Sequence, residues 1–324
     1  MPLPSVAINA RAAIRAEIGG VERVAQEMVS RLPRIAPERY RVVRPPAALA
    51  HRAGHAWEQA RLPFTRAELI YSPANLAPLA SRRNVVVIHD VAALRHPEWY
   101  SRAYVAWQRA LLPAIARRAR LVITVSEFSR REIEQVLGVD ATVVLNGVDE
   151  RFKPAGDEGD YALVVGTRIA RKNLPALTAT AAALRELGIE LVAAGSGRGY
   201  MRSDATEIRQ LGYVPDDELP GLYARARLLL MPSLYEGFGL PCIEAMASGT
   251  PVVAANRGAL PETCGDAALV VEPDDFEEAA VRAVTTDRDR LVEAGLARAA
   301  RFTWERAART TDQAIGRLLT SRRW

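Results

Sequence analysis

The sequence predicts an α/β protein built from two doubly wound parallel sheets, and three observations carry that reading. The chain has 324 residues, 49% of them apolar, enough for two domains with sizeable cores. Short apolar runs, among them 84–88 (NVVVI), 121–125 (LVITV), 161–165 (YALVV) and 228–231 (LLLM), alternate with helical patterns, as strands covered on both faces by helices require. Several of these runs end in Gly, Ser or His-Asp, and in open α/β sheets ligands bind beyond the carboxyl ends of the strands.

Composition narrows the class. No apolar run approaches the ~18 residues of a membrane span, and the first twenty residues lack the basic-then-apolar order of a signal peptide. Two cysteines, Cys242 and Cys264, give no disulfide framework and fit a reducing cytoplasm. The net charge of +5 is uneven: residues 1–150 hold 21 Arg, no Lys and 14 Asp or Glu. A basic first half suits an anionic partner, nucleic acid or lipid. It lacks the aromatic interleaving of a nucleic-acid binder, so no nucleic-acid partner is expected and peripheral contact with the inner face of the plasma membrane is.

In chain order, 6–9 is the first strand. Gly19-Gly20 then opens a helix with Val21, Val24, Met28 and Leu32 on one face, and a Gly pair there lets backbone approach a ligand closely. Residues 33–66 are poorly patterned. His51 and His55 within them have no third partner for a metal, and no metal site is expected anywhere. Residues 69–71 form a short strand. The 84–88 strand ends in His89-Asp90, with Asp90 placed to orient the histidine. Residues 101–120 read as an amphipathic helix interrupted or kinked at Pro113, with Arg102, Arg109, Arg117 and Arg120 on one face and Tyr104, Trp107, Leu111 and Ile115 on the other. Ser126 is an N-cap candidate after the 121–125 strand. Residues 142–145 form the last strand of the first half, and the polar 152–160 stretch is a linker.

The second half starts with the 161–165 strand and a basic loop, Gly166-Thr167-Arg168-Ile169-Ala170-Arg171-Lys172-Asn173, with Asn173 expected to cap a helix reaching Leu187. Strands follow at 189–194 and 211–214, the latter before Asp216-Asp217, which is no convincing metal site. The most informative stretch is 233–274. The 228–231 strand runs into Glu236-Gly237-Phe238-Gly239-Leu240, then a helix over 241–247 stopped by Gly249, then a strand at 251–254. A glycine turn at a helix N-terminus aims several N–H groups at one point, with the helix dipole behind them. Carboxylates at Glu236 and Glu244 bracket it, and a carboxylate accepts paired bonds from vicinal hydroxyls. Phosphate in the middle with a sugar at each end describes a sugar nucleotide.

On this stretch the chain resembles the retaining family 4 glycosyltransferases of the GT-B fold, whose Glu-x7-Glu signature matches Glu236 through Glu244 and whose flanking text matches GFGLPxxEAMAxGxPVV. GGVERVA, VGT…RKNL and His89-Asp90 extend the resemblance toward group 1 mannosyltransferase-like enzymes of surface polysaccharide assembly. The resemblance implies two Rossmann-like domains facing across a cleft. Residues 1–153, with the terminal helix 304–324 packed back on them, would take the acceptor, and 154–303 the donor. It implies that Glu236 contacts the sugar and Glu244 the ribose. Phe238, Gly239 and Leu240 would offer backbone amides to sugar and phosphate, and Val214 would hold the base. Lys172 would meet the diphosphate, assisted by Arg168 or Arg171; Arg168 is the one assigned. Gly19 and Gly20 would pack against donor phosphates, and His89 would sit beside the transferred sugar.

The expected activity is transfer of a hexose, first choice mannose from GDP-mannose, to a sugar or lipid-linked oligosaccharide acceptor with retention of configuration. Lys172, the helix N-terminus and the glycine amides would stabilise the departing diphosphate, and no cofactor is called for. A sugar-nucleotide epimerase or hydrolase of the same fold and a non-catalytic donor-binding scaffold are the alternatives. Intact Glu236, Glu244, Lys172 and His89 argue against the scaffold.

Overall fold

The computed structural model describes residues 5–15, 17–50, 54–167, 169–195 and 208–321. Its contacts divide the chain into two units. The first comprises Met1–Arg95, Val105–Asn146 and Trp304–Trp324, and the second His96–Tyr104 and Gly147–Thr303.

The first unit holds six parallel strands: β1 (Val6–Asn9), β2 (Tyr40–Val43), β3 (Leu69–Ser72), β4 (Asn84–Val87), β5 (Leu121–Thr124) and β6 (Thr142–Val143). They lie in the order β2-β1-β3-β4-β5-β6. The order reverses between β1 and β3, the position at which doubly wound sheets open a crevice. β1, β3 and β4 are buried throughout. The Gly20–Ile35 helix, which packs on β2 and on the Trp304–Thr320 helix, buries Val24, Ala25, Met28 and Leu32, the stripe its sequence spacing dictates. The Trp304–Thr320 helix belongs to this unit. It is fastened at Asp312, whose Oδ1 accepts from Arg39 Nη1 at 2.5 Å and the Tyr40 hydroxyl at 2.7 Å.

Two expectations are corrected here. The poorly patterned 33–66 stretch contains β2, an edge strand in which only Tyr40 is buried, so no alternation or apolar run marks it. The 102–118 helix is not interrupted at Pro113. The carbonyl four residues earlier, on Arg109, is on the exposed side, where solvent can serve it. Its buried face is Val105, Gln108, Leu112, Ile115 and Ala116, rotated by about one residue from the expected one, and Tyr104, Trp107 and Leu111 are only half-buried.

The second unit holds β7 (Tyr161–Val165), β8 (Glu190–Ala194), β9 (Arg209–Gly212), β10 (Leu228–Met231), β11 (Val252–Ala255) and β12 (Leu269–Val271). All are parallel, in the order β12-β11-β10-β7-β8-β9. This is the 3-2-1-4-5-6 arrangement of dinucleotide-binding folds, with its switch point between β7 and β10. β10 and β11 are buried at every residue, matching their unbroken apolar sequence. Asn173 does not cap a long helix. It sits at φ +52° between the 3-10 turns Ala170–Lys172 and Leu174–Leu177, and the helix is only Thr178–Glu186. Asn tolerates this left-handed conformation, and Pro175 begins a new turn after it. The strand expected at 211–214 lies at Arg209–Gly212, leaving Val214 half-buried beyond its end.

Candidate active site

The loops after β7 and β10 flank the switch point, and they carry Lys172, Glu236, Phe238 and Gly239 among the residues that the sequence singled out. After β7, Gly166 makes room for Lys172: a Cβ on Gly166 would lie 2.6 Å from Lys172 Cε. Lys172 is thereby folded over the strand end and buried. Its Nζ lies 2.8 Å from Glu236 Oε1. Arg171 Nη1 donates to the same oxygen at 2.8 Å and to the Tyr235 carbonyl at 2.6 Å. One buried carboxylate therefore serves two cations. Burial alone would raise the Glu236 pKa, but Arg171 and Lys172 outweigh it and hold it at about 2. Lys172 goes the other way from its ordinary charge preference. Burial lowers its pKa against the pull of Glu236, and Arg171 adds to the lowering. These directions agree physically, because the single anion is doubly compensated while each cation is desolvated beside another.

Glu236 leads into the glycine turn. Gly239, at φ +98°, is the N-cap of the Leu240–Ala247 helix, which begins one residue earlier than the proline suggested. Phe238, Leu240 and Glu244 are buried. Glu244, in the second turn of the helix, accepts a 2.9 Å bond on Oε2 from the Tyr223 hydroxyl. The turn is braced from behind by the segment after β11. Ala259 N–H donates to the Glu236 carbonyl at 2.9 Å, and Thr263 Oγ1 donates to the Phe238 carbonyl. Gly258, at φ +62°, lies so close that a Cβ would sit 2.7 Å from both N and O of Glu236. Cys242 and Cys264 are buried beneath this turn as free thiols; Cys264 and burial push the Cys242 thiol up. Asp216 is ion-paired with Arg151 at 2.7 Å.

In the first unit, Gly19 is the N-cap of its helix in extended conformation. Its N–H donates to Glu22 Oε2 at 3.2 Å, and Arg15 donates to Glu22 Oε1 at 3.1 Å, so the helix N-terminus is already met by a side-chain carboxylate. His89, just past β4, is buried. Its N–H donates to Asn75 Oδ1 at 2.8 Å, and its carbonyl accepts from Ser129 Oγ at 3.0 Å. Nε2 is 3.0 Å from the Pro73 carbonyl. A carbonyl only accepts, so Nε2 carries the proton. Burial lowers the pKa of the ring, which keeps it neutral. Asp90 does not orient the ring by a hydrogen bond: its Oδ1 accepts from Ala92 N–H at 3.0 Å, and the Pro73 carbonyl does the orienting. Ser126 caps its helix as expected, accepting from Ser129 N–H at 3.0 Å.

The structure thus brings Lys172, Glu236, Gly239 and Glu244 together around one switch point, and places Gly19, Gly20 and His89 on carboxyl-end loops of the other sheet. Arg168 lies outside the described residues, as does His51. Sequence reasoning weighed Arg171 only as the alternative to Arg168 beside the diphosphate, did not foresee its bond to Glu236, and gave Tyr223, Gly258 and Thr263 no role. The GALPE text at 258–262 was the available signal for the bracing segment.

The fold is that of a GT-B glycosyltransferase. The family described as Glycosyltransferase Family 4 matches residues 35–152, and that described as Glycosyl transferases group 1 matches residues 159–286. O-antigen chain mannosyltransferase B of Escherichia coli is 32% identical over 82% of this chain and 78% of its own length. O-antigen chain mannosyltransferase RfbU of Salmonella typhimurium is 27% identical over 65% and 63%. Sucrose-phosphate synthase from Thermosynechococcus elongatus superposes with a TM-score of 0.73 at 19% identity, covering 98% of this chain and all of that one. The Anabaena protein HepE, solved with UDP and glucose, gives 0.71 at 16%, covering 97% of this chain and all of that one. The chain belongs to the group 1, family 4 glycosyltransferases.

Proposed function

We propose that this glycosyltransferase moves mannose from GDP-mannose to a sugar or lipid-linked oligosaccharide, with retention of configuration, at a membrane surface that it touches peripherally. The observation that carries the donor assignment is the pairing of Glu236 with Arg171 and Lys172 at the N-terminus of the Leu240–Ala247 helix. The two cations supply a place for a diphosphate beside the dipole of that helix. Glu236 and Glu244 supply carboxylates on either side for sugar and ribose hydroxyls. As the glycosidic bond to phosphate breaks, negative charge grows on the diphosphate, and Lys172, Arg171 and the turn amides are preorganised to stabilise it. Relatives named as mannosyltransferases of O-antigen chains support mannose as the sugar.

In this reading His89, neutral with Nε2 tied to Pro73, offers a positioned ring to the transferred sugar rather than a charge. No side chain is assigned as covalent nucleophile; the attacking hydroxyl gives its proton to the departing phosphate oxygen on the same face. The test is a thermal-shift panel of GDP, UDP, ADP and dTDP with their sugar conjugates, followed by NMR of the product's anomeric configuration. A selective rise with GDP and GDP-mannose and an α-linked product are expected. A rise with another nucleotide alone overturns the donor, and an inverted product overturns the mechanism.

A further inference from the structure

The first unit carries a second charged feature at the edge of its sheet opposite His89 and Gly19. Residues 61–68, 79–83 and 117–120 lead into β3, β4 and β5, which are parallel neighbours, so these segments share the amino edge. Together they hold seven arginines and one carboxylate, Glu68. Arg61, Arg66, Arg82, Arg118 and Arg120 are exposed. Arg83 is spent differently. Its guanidinium donates to the carbonyls of Pro63 at 2.6 Å and Thr65 at 3.3 Å, and to that of Ala67. Asn84 Nδ2 fixes the adjoining loop through the carbonyls of Pro78 and Ser81. The rim is therefore built, not loose, and its 61–68 segment holds Phe64 83% exposed. A lone exposed apolar residue is ordinary; one whose flanking carbonyls, on Pro63 and Thr65, are stapled by a guanidinium on a segment with exposed Arg61 and Arg66 is a combination with its own chemistry.

We propose that this rim docks on an anionic lipid bilayer, with Phe64 entering the interface and the exposed arginines meeting the headgroups. A bilayer surface is a flat polyanion over an apolar interior, and both parts of the rim match it. Single-stranded nucleic acid would call for successive aromatic platforms along a groove, and the rim offers one ring on a projecting turn. Arginines at the C-terminus of the Arg102–Arg118 helix also suit its dipole, but that accounts for neither Phe64 nor Arg61, Arg66 and Arg82. Docked this way, the carboxyl edge with His89 stands off the bilayer by about 13 Å of strand plus its loops, on the side where a growing glycan has room. The assignment rests on the membrane contact proposed above and on none of the donor-site roles. It places that contact on the rim and not on the flank of the Arg102–Arg118 helix, where Arg102 and Arg109 are also exposed.

Co-sedimentation of the full chain with phosphatidylcholine vesicles, with and without phosphatidylglycerol, tests it. Binding only to the anionic vesicles, weakened by KCl, is expected. Phe64→Ser should lower partitioning about tenfold, and Arg61→Gln/Arg66→Gln/Arg82→Gln together about a hundredfold. Arg102→Gln/Arg109→Gln should leave it within about twofold, because those side chains lie off the rim and the headgroup potential fades over a Debye length. All these side chains are exposed, so melting temperatures and the nucleotide-induced thermal shift should stay unchanged. The proposal is overturned if no vesicles are bound at low salt, or if poly(U) is retained and vesicles are not. It is equally overturned if vesicle binding survives the rim variants and is lost with the Arg102/Arg109 pair, although a membrane contact would then stand.

Discussion

The Tyr223 hydroxyl donates a 2.9 Å hydrogen bond to Glu244 Oε2 from a side chain with no solvent exposure. The ring is itself fixed: its backbone carbonyl accepts from Thr250 Oγ1 at 2.6 Å, and Phe152 packs edge-on against it. A buried carboxylate held this way has a defined direction, and direction is what a carboxylate needs to accept two bonds from a ribose diol. Tyr223→Phe removes one oxygen and little else. It should cost about 1–3 kcal/mol of stability, because Oε2 loses a buried donor. It should also weaken nucleotide binding more for a ribonucleotide than for its 2′,3′-dideoxy form. Denaturant titration and calorimetric binding of both nucleotides check this. An unchanged ribo-to-dideoxy ratio would leave Tyr223 a structural residue only.

Lys172 and Arg171 share one oxygen of Glu236, which makes their removal unequal in stability and activity. Burial already disfavours the Lys172 charge, and Glu236 keeps Arg171 when Lys172 is gone. Lys172→Met should therefore leave the melting temperature the same or higher, while turnover falls about a hundredfold. Equal loss of both would mean that the pair holds the fold and does not serve the reaction.

The same cluster sets an acid limit. The Glu236 pKa is about 2 in the folded chain against 4.5 for a free side chain, so the folded state binds its proton less readily than the unfolded one. The resulting stabilisation, on the order of 3 kcal/mol, is complete above pH about 4.5 and is lost as pH falls toward 2. In Lys172→Met the loss should begin at higher pH, since one of the two cations lowering the carboxyl pKa is absent. Unfolding free energies measured from pH 2 to 6 for both proteins give the comparison; superimposable curves would remove Lys172 from the account.

His89 carries a different pH signature. Its pKa is lowered from 6.5 by burial, so below that pH the unfolded state takes up a proton that the folded state refuses, and stability declines as pH drops under 6.5. His89→Asn should abolish this component. It should also lower turnover well beyond any change in melting temperature, given the ring's place beyond the β4 end. Unfolding profiles between pH 5 and 7, with assays at pH 7.5, separate the two effects. Full activity in the variant would exclude His89 from the reaction.

The parts of the molecule that the sequence spelled out are those where one physical rule acts alone. β10 and β11, and β4 after Asn84, are apolar because both faces are covered, and the Gly20–Ile35 helix shows its stripe because one face is. The carboxylates Glu236 and Glu244 were legible from their spacing around a glycine turn. What stayed hidden depends on a second element. β2 is an edge strand with one buried residue. The buried face of the 102–118 helix is chosen by the sheet it meets, not by its own aromatic residues. Arg171 and the Glu236 it meets are 65 residues apart, on loops that only the sheet order brings together. Tyr223 stands 21 residues from the carboxylate it orients, and nothing local announces the pairing.

Gly258 allows the sharpest separation of fold from site. It sits at φ +62°, and a Cβ there would come within 2.7 Å of the backbone N and O of Glu236. Gly188, in the same unit at φ +74°, has nothing within 4 Å of its Cβ position. An alanine at either position takes the left-handed cost, about 1 kcal/mol, but only at Gly258 must a neighbour also move, and that neighbour is the backbone of Glu236. Gly188→Ala should therefore lose about 1 kcal/mol and keep its turnover. Gly258→Ala should lose roughly 2–4 kcal/mol and, at temperatures where it remains folded, show turnover reduced at least tenfold. The reason is that Glu236 is displaced from Lys172 and Arg171, and a shift of about 1 Å at a reacting centre is worth factors of that size. Chemical denaturation and initial rates on the two variants decide the matter. If Gly258→Ala behaves like Gly188→Ala in both measurements, the bracing segment yields freely, and the position of Glu236 is set by the loop after β10 alone.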